Sequence, residues 1–420
     1  MRTLLFLLLA VTHLHAQTAR QNYESLTNDL RESRASKDWP AYLRATKNAQ
    51  QLLNNSPESL LRVARAQVLN NDLPSALRTL QQFTSMGQSS KEVLTSQEFI
   101  PLRALPEFTA IQSAMQSNQS PISRSSTAIT MPSLTNLIAE DVVYDPTTKL
   151  FYFTTVLGRK LFASTADGRL REFADSPNGW PFLAIKIDST RGLLWATAVA
   201  LRDFDGVPAS AQGKSAILCY NLASGKLLRR IDGPPSSALG DFALSLNGDL
   251  ILSDNEGGGI YSLPHDSSTL ERLDKGEFIS PQTPAFAADD NLIFIPDYSR
   301  GIAVLHRATR EIRWLDSQNK FALSGIDGLY CTNGKLLAVQ NGTSPERVIL
   351  FTLDQSFTHI TAESVIERST ATLGDPTHGV ILGHDFYYIA NSGWDTLDDH
   401  GAPLPNSKPS PPLLMRFSIP

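Results

Sequence analysis

The sequence predicts a mainly β protein, a six-bladed β-propeller preceded by a small α-helical domain. Three observations carry this. A phrase made of a turn with a polar or acidic side chain, followed by short apolar strands, recurs along the C-terminal two-thirds. The first hundred or so residues instead place apolar side chains at helical spacing. A stretch rich in Ser, Thr, Asn and Pro separates the two. The phrase is plainest at Ser324–Asp354, where Ile326-Asp327-Gly328 leads into strands around Leu336–Gln340 and Val348–Leu353. Versions of it carry Glu140, Trp180, Asp241, Gln282, Asp327 and Thr377 at the turn, at intervals of about 40 to 60 residues.

The chain opens with a basic residue, Arg2, an apolar run Leu4–Val11, and a small-residue end at Leu14-His15-Ala16. That is the pattern of a secretory leader over residues 1–16, so a secreted or periplasmic protein is expected. The apolar run is far shorter than the ~20 residues of a membrane span. The 37 basic and 42 acidic side chains give a net charge of −5, with no basic run. Nucleic acid, which is bound through phosphate neutralisation, is a poor partner for such a chain. Cys219 and Cys331 are the only cysteines. Export permits a disulfide, but two simply buried blade thiols are the expectation.

Residues 17–116 read as the helical domain. Ser59–Leu69 and Leu73–Leu80 are helices separated by Asn70-Asn71-Asp72, with Pro74 in the first turn of the second. Ala64 and Ala76 mark the close approach of the pair. Trp39–Leu53 is a weaker copy, and Glu107–Met115 is the last helix. This pattern resembles a tetratricopeptide repeat, with Gln67 where the family has an aromatic residue. The resemblance implies either a groove for a protein partner or a cap docked on the propeller. Residues 117–133 read as a linker.

Residues 134–420 leave roughly 48 residues for each of six units, against the about 40–45 of a four-stranded blade. The interval after Trp180 is long because Arg202–Pro208 inserts a loop. Leu413–Ile419 is expected to close the ring by pairing near the linker. The phrases Ala139-Glu140-Asp141, Gly240-Asp241-Phe242, Asp254, Asp297-Tyr298, Ile326-Asp327-Gly328 and Gln340-Asn341-Gly342 resemble the senescence marker protein/gluconolactonase/strictosidine synthase-like superfamily of six-bladed propellers.

In a propeller, residues just before the innermost strands ring one mouth of a central channel. Glu140, Asp241, Gln282 and Asp327 hold that position in four blades. Three carboxylates confined together repel one another, and a divalent cation resolves the conflict. Oxygen ligands suit Ca²⁺ or another hard ion. The family resemblance implies the same: Glu140 and Asp327 match its metal-holding Glu and Asp, while Asp241 and Gln282 stand where it usually has Asn. On that reading the cation polarises the carbonyl of a lactone or ester, and Asp327 is the base that activates water. His378 falls at the same mouth as a base or substrate contact. Trp180, Gln282 and Thr377 are expected to touch a small-molecule ligand, with Phe242 beside Trp180 as an apolar wall. The bland alternative is that the acids cap turns. Asp395, Asp398, Asp399 and His400 read as a solvated connection, and Glu256–Gly259 as a hairpin turn. The chain has neither a Gly-x-Ser-x-Gly elbow nor a His-Glu-x-x-His helix. Two functions remain open: a metal-dependent hydrolase, and a non-catalytic propeller that binds a ligand or protein.

Overall fold

A computed structural model describes residues 17–420; the leader expected at 1–16 lies outside them. The front end is helical: α1 (Ala19–Ala35), α2 (Trp39–Leu52), α3 (Pro57–Leu69), α4 (Leu73–Ser85), two short pieces α5 (Lys91–Thr95) and α6 (Ile100–Arg103), and α7 (Phe108–Asn118). The starts of α2, α3 and α4 repeat one device. Asp38, Ser56 and Asp72 each accept a backbone N–H of the first turn, and Pro40, Pro57 and Pro74 sit where no N–H is needed. Ala64 and Ala76 are fully buried and let α3 and α4 approach. The side chain of Gln67 accepts a hydrogen bond from Thr79 Oγ1 at 2.8 Å, a polar link between α3 and α4. The core of this module includes Leu60, Leu80, Phe83, Phe99 and Ile111, and is completed by Ala322 from the propeller.

The remaining chain forms six antiparallel sheets, each a blade. The innermost strands are Ala139–Asp145, Phe182–Asp188, Leu239–Leu244, Ala285–Phe286, Gly328–Thr332 and Gly379–Leu382. One apolar cluster fills the gap between each pair of neighbouring blades, so the core is a ring of six and not a central ball. A fully buried Leu, Ile or Phe in such a gap contributes about 1.5–3 kcal/mol. With stability supplied between blades, the axis need not be apolar.

The segment read as a linker is corrected by its pairing. Ile122–Ser123 adds a fifth strand to blade five beside Glu367 and Arg368, and Ser126–Thr130 becomes the outer strand of blade six, paired with Leu413–Ser418. The ring therefore closes by joining a strand from before the first blade to one from the end of the last, as the C-terminal apolar run suggested. The inserted loop of blade two folds against the late acidic loop: the Asp205 N–H donates to the His400 carbonyl at 2.8 Å. Asp398 accepts N–H groups of its own loop, from His400 and Ala402. Cys219 and Cys331 are both unpaired thiols, pushed up to about 11 by burial.

Candidate metal centre

Local backbone irregularity places the mouth residues. Strand pairing slips at Glu140-Asp141 in blade one, between Phe182 and Ile185 in blade two, and between Leu239 and Asp241 in blade three. Such bulges re-aim side chains. A hydroxyl on the second strand of each of these blades fastens the bulge or the next blade. Thr154 accepts from the Asp141 N–H and donates to the Leu183 carbonyl. Thr197 accepts from Ala184 N–H and donates to Gly240, and Ser253 donates to Gln282. Each links one blade to the residue before or at the next inner strand. The turn positions are thereby set relative to one another.

Four side chains converge. Each of three carboxylates has one oxygen held by a neutral donor and the other turned inward. Glu140 Oε2 accepts from Trp394 Nε1 at 2.5 Å, Asp327 Oδ2 from Asn341 Nδ2 at 3.0 Å, and Asp241 Oδ2 from Asn255 Nδ2 at 2.9 Å. The other oxygens face His378. Asp241 Oδ1 is 3.0 Å from Nε2 and Asp327 Oδ1 is 3.9 Å from it; Glu140 Oε1 lies 4.0 Å from Nδ1. Asp241 Oδ1 also accepts from Thr283 Oγ1.

The histidine is oriented by the backbone. Its ring Nδ1 donates to the Glu140 carbonyl at 3.1 Å, which leaves Nε2 facing the carboxylates. Nε2 is buried and, although close to Asp241 Oδ1, sits out of line for a hydrogen bond, so it has no bonded partner. Among the described residues, no Lys or Arg forms an ion pair with Glu140, Asp241 or Asp327. Glu140, Asp327 and His378 each offer a ligand atom within 4.8 Å of the others. An orphaned imidazole nitrogen among inward carboxylate oxygens fits a divalent cation. Nδ1 bonded to a carbonyl is the arrangement that presents Nε2 as a ligand.

The electrostatics follow from this crowding. Burial, then Asp327, push Glu140 up to about 8, against the opposing pull of His378. Burial also raises Asp327. Asp241 is lowered, because the charge of the neighbouring His378 and the hydrogen bond from Asn255 outweigh its burial. Burial opposes protonation of His378, but Asp327 and Asp241 override it and hold the imidazole well above its ordinary value. Without a cation, therefore, a proton on His378 supplies part of the missing positive charge. Nearby, burial and Glu346 raise Asp375 to about 7.

The other residues singled out from the sequence lie elsewhere or act indirectly. Gln282 joins through Asn255, whose Nδ2 also donates to Gln282 Oε1 at 2.5 Å. Thr377 is fully buried behind His378, its hydroxyl unpartnered. Trp180 does not line the mouth. Its ring stacks under Arg230 at 5.1 Å and packs in the cluster between blades one and two, because the blade-two turn directs it into that gap. Phe242 likewise belongs to the core between blades two and three. Sequence reasoning did not assign Asn255, Asn341 or Trp394 to the site. The two asparagines follow the second strands of blades three and five, and Tyr298, whose hydroxyl donates to Asn341 Oδ1, occupies the same place in blade four. Aligning the ends of the second strands was the available signal. Trp394 lies in the blade-six connection, seated against Phe204 of the inserted loop, and no repeat marks it.

No family model matches the chain, and no curated protein matches it. Solved structures do resemble it. A gluconolactonase from Xanthomonas campestris shares 13% identity over 72% of this chain and 100% of its own, with a TM-score of 0.47. An aldose sugar dehydrogenase from Streptomyces coelicolor, solved with PQQ, shares 12% over 71% and 99%, at 0.49. The calcium-binding protein regucalcin from Agrobacterium tumefaciens shares 16% over 69% and 91%, at 0.45. Likenesses of this size do not carry an activity across. What stands on the molecule itself is a six-bladed β-propeller with a helical front end and an acidic, histidine-bearing channel mouth.

Proposed function

We propose that this protein is an exported, divalent-cation-dependent hydrolase of a small lactone or ester, acting at the channel mouth. One observation carries the reading: oxygens of Asp241 and Asp327, from blades three and five, face a histidine nitrogen that has no bonded partner, and Glu140 of blade one brings an oxygen within 4.0 Å of the same ring. Those three carboxylates and His378 Nε2 would hold the ion. A nitrogen donor is unlike the all-oxygen sets of Ca²⁺, so Mn²⁺ and Zn²⁺ stand beside it as candidates. When bound, the cation supplies Lewis-acid polarisation of the substrate carbonyl.

The chain's own residues do the rest. Asp327 has the most open of the three carboxylates, its side chain 14% exposed. Burial raises its affinity for protons, and with that openness it is the carboxylate placed to take a proton from water. Asn341 keeps Oδ2 occupied, so Oδ1 is the oxygen left to meet both the cation and the attacking water. The exposed Tyr298 and the amide of Asn341 give the approach a polar lining, suited to a small polar substrate.

The test is metal analysis of the purified protein, followed by lactone and aryl-ester screens with EDTA or with added Ca²⁺, Mn²⁺ or Zn²⁺. Asp327→Ala is expected to lower turnover by about 10²–10⁴-fold, and EDTA to abolish it. Metal-free protein that hydrolyses nothing with any added ion would overturn the reading. A second reading, a non-catalytic binding propeller, is favoured by the front end. The α1–α2 face there opens a polar cleft lined by Asp29, Glu32, Asp38, Arg44 and Asn48, suited to a protein partner.

A further inference from the structure

The two stretches that flank Asp327 are both tied to the helical module, and through one buried pair. Arg347 is fully buried on blade five, and its Nε donates to Gln340 Oε1 at 2.7 Å. Gln340 Nε2 donates in turn to the carbonyls of Ala322 and Ser324, both at 2.9 Å. That fixes the stretch leading into Asp327. Gln340 also immediately precedes Asn341, which holds Asp327 Oδ2 and the Pro376 carbonyl beside Thr377 and His378.

The helical module grips the same pair. Arg347 Nη1 donates to the Met86 carbonyl at the end of α4. The Ser89 N–H donates to the Ser344 carbonyl at 2.7 Å, and the Ser344 N–H donates to Gln88 Oε1. Asn118 of α7 holds the 84–88 turn through the Thr84 and Gln88 carbonyls. Gly87 between them has φ +76°, and a Cβ there would meet Arg347 Nη1 at 2.8 Å. Arg347 is an expensive way to fasten two surfaces: Nη2 has no bonded partner and its nearest carboxylate, Glu363, is 3.8 Å away. A buried charge so poorly compensated contributes little net stability; what it fixes is geometry.

We infer that Arg347 and Gln340 are positioning residues, through which the helical module sets Asp327 and Asn341 in the channel mouth. The inference rests on the mouth being the functional site. It makes the front end a working part of that site and gives a bound partner a route to it: whatever moves the α4–α5 turn moves Gln340, and with it both flanks of Asp327.

Two variants test it from opposite sides: Arg347→Lys on the propeller, which keeps the charge but loses the planar reach to Gln340, and Gly87→Ala on the helical module. Both are compared with the full chain by amide hydrogen exchange and by Mn²⁺ titration. Exchange is expected to quicken together in 322–328 and 340–346 while the other blades stay protected. Mn²⁺ affinity is expected to fall about 10–100-fold, the size of effect an outer-layer partner has on a metal site. Faster exchange spread through the whole of blade five, or unchanged exchange in the two flanks, overturns the inference. So does coupled loosening of the flanks with unaltered Mn²⁺ affinity. If the unsubstituted protein binds no Mn²⁺, the metal reading fails by itself, and the exchange pattern alone decides the coupling.

Discussion

Glu140 and Asp141 are neighbours in sequence, both buried, and the molecule treats them in opposite ways. Asp141 is fully provided for. Its Oδ2 accepts from Lys186 Nζ at 2.6 Å and from the Ile185 N–H, and its Oδ1 from the Val142 N–H. One negative charge meets one positive charge, and the pair staples blade one to blade two. Glu140 faces two more carboxylates and a single histidine, with a tryptophan N–H as its one bonded donor. A structural acid is balanced; this group is not. Glu140, Asp241 and Asp327 keep a deficit of positive charge in a space where each could have been an asparagine, and that imbalance is what the proposed cation would correct.

The largest test of this contrast is to unbalance the balanced site. Lys186→Met leaves Asp141 buried without its counter-ion, and is expected to destabilise the protein by about 3–5 kcal/mol. Asp327→Asn removes a charge from the repelling group, and is expected to leave metal-free stability unchanged or raised. Urea unfolding in EDTA measures both. Equal destabilisation by the two variants would show that the mouth is an ordinary structural network.

The same contrast explains what the sequence disclosed. The fold was legible because each blade repeats one strand pattern, and the acids of the mouth were legible because they hold one position in that pattern. Balance was not legible. Nothing in the order of residues shows that Lys186, one blade away, neutralises Asp141 and not Glu140. Trp180 shares the repeat position yet faces the gap between blades, since a large ring there fills the apolar space beneath Arg230. The strands at 122–123 and 126–130 were hidden because two and five residues rich in Ser and Thr, mostly exposed, carry no apolar alternation. Their pairing is decided by the blade edges they meet.

A middle-sized effect is expected from pH. Glu140 is held up to about 8 from an ordinary 4.5, so the folded protein keeps a proton that the unfolded chain releases. His378, held above its ordinary 6.5, acts with the same sign: its contribution is present below that value and is lost as pH rises through its folded value. Asp241, lowered, acts only on the acid side, below its ordinary 3.8. Metal-free stability should therefore fall from about pH 6 to 8, by about 1.4 kcal/mol per unit for each extra proton held. Glu140→Gln should flatten part of the slope. A bound cation should flatten it too, by displacing the protons. Unfolding curves across that range, with EDTA and with Mn²⁺, check the sign; stability rising with pH in EDTA would contradict the charge deficit.

The smallest effect separates holding an oxygen from balancing a charge. Trp394→Phe keeps the aromatic contact with Phe204, whose ring centre is 6.3 Å away, and removes only the N–H that Glu140 Oε2 accepts. Were Trp394 a structural donor like the N–H groups around Asp141, the loss would appear as stability, about 1–3 kcal/mol for an unsatisfied buried acceptor. If its task is to turn Oε1 inward, a protonated Glu140 tolerates the loss in the metal-free protein. The effect then appears as cation affinity, weakened about tenfold, or ~1.4 kcal/mol. Titrating Mn²⁺ into this variant, beside its unfolding in EDTA, tells the two apart. A stability loss with unaltered affinity would place Glu140 with Asp141 among the residues that only hold blades together.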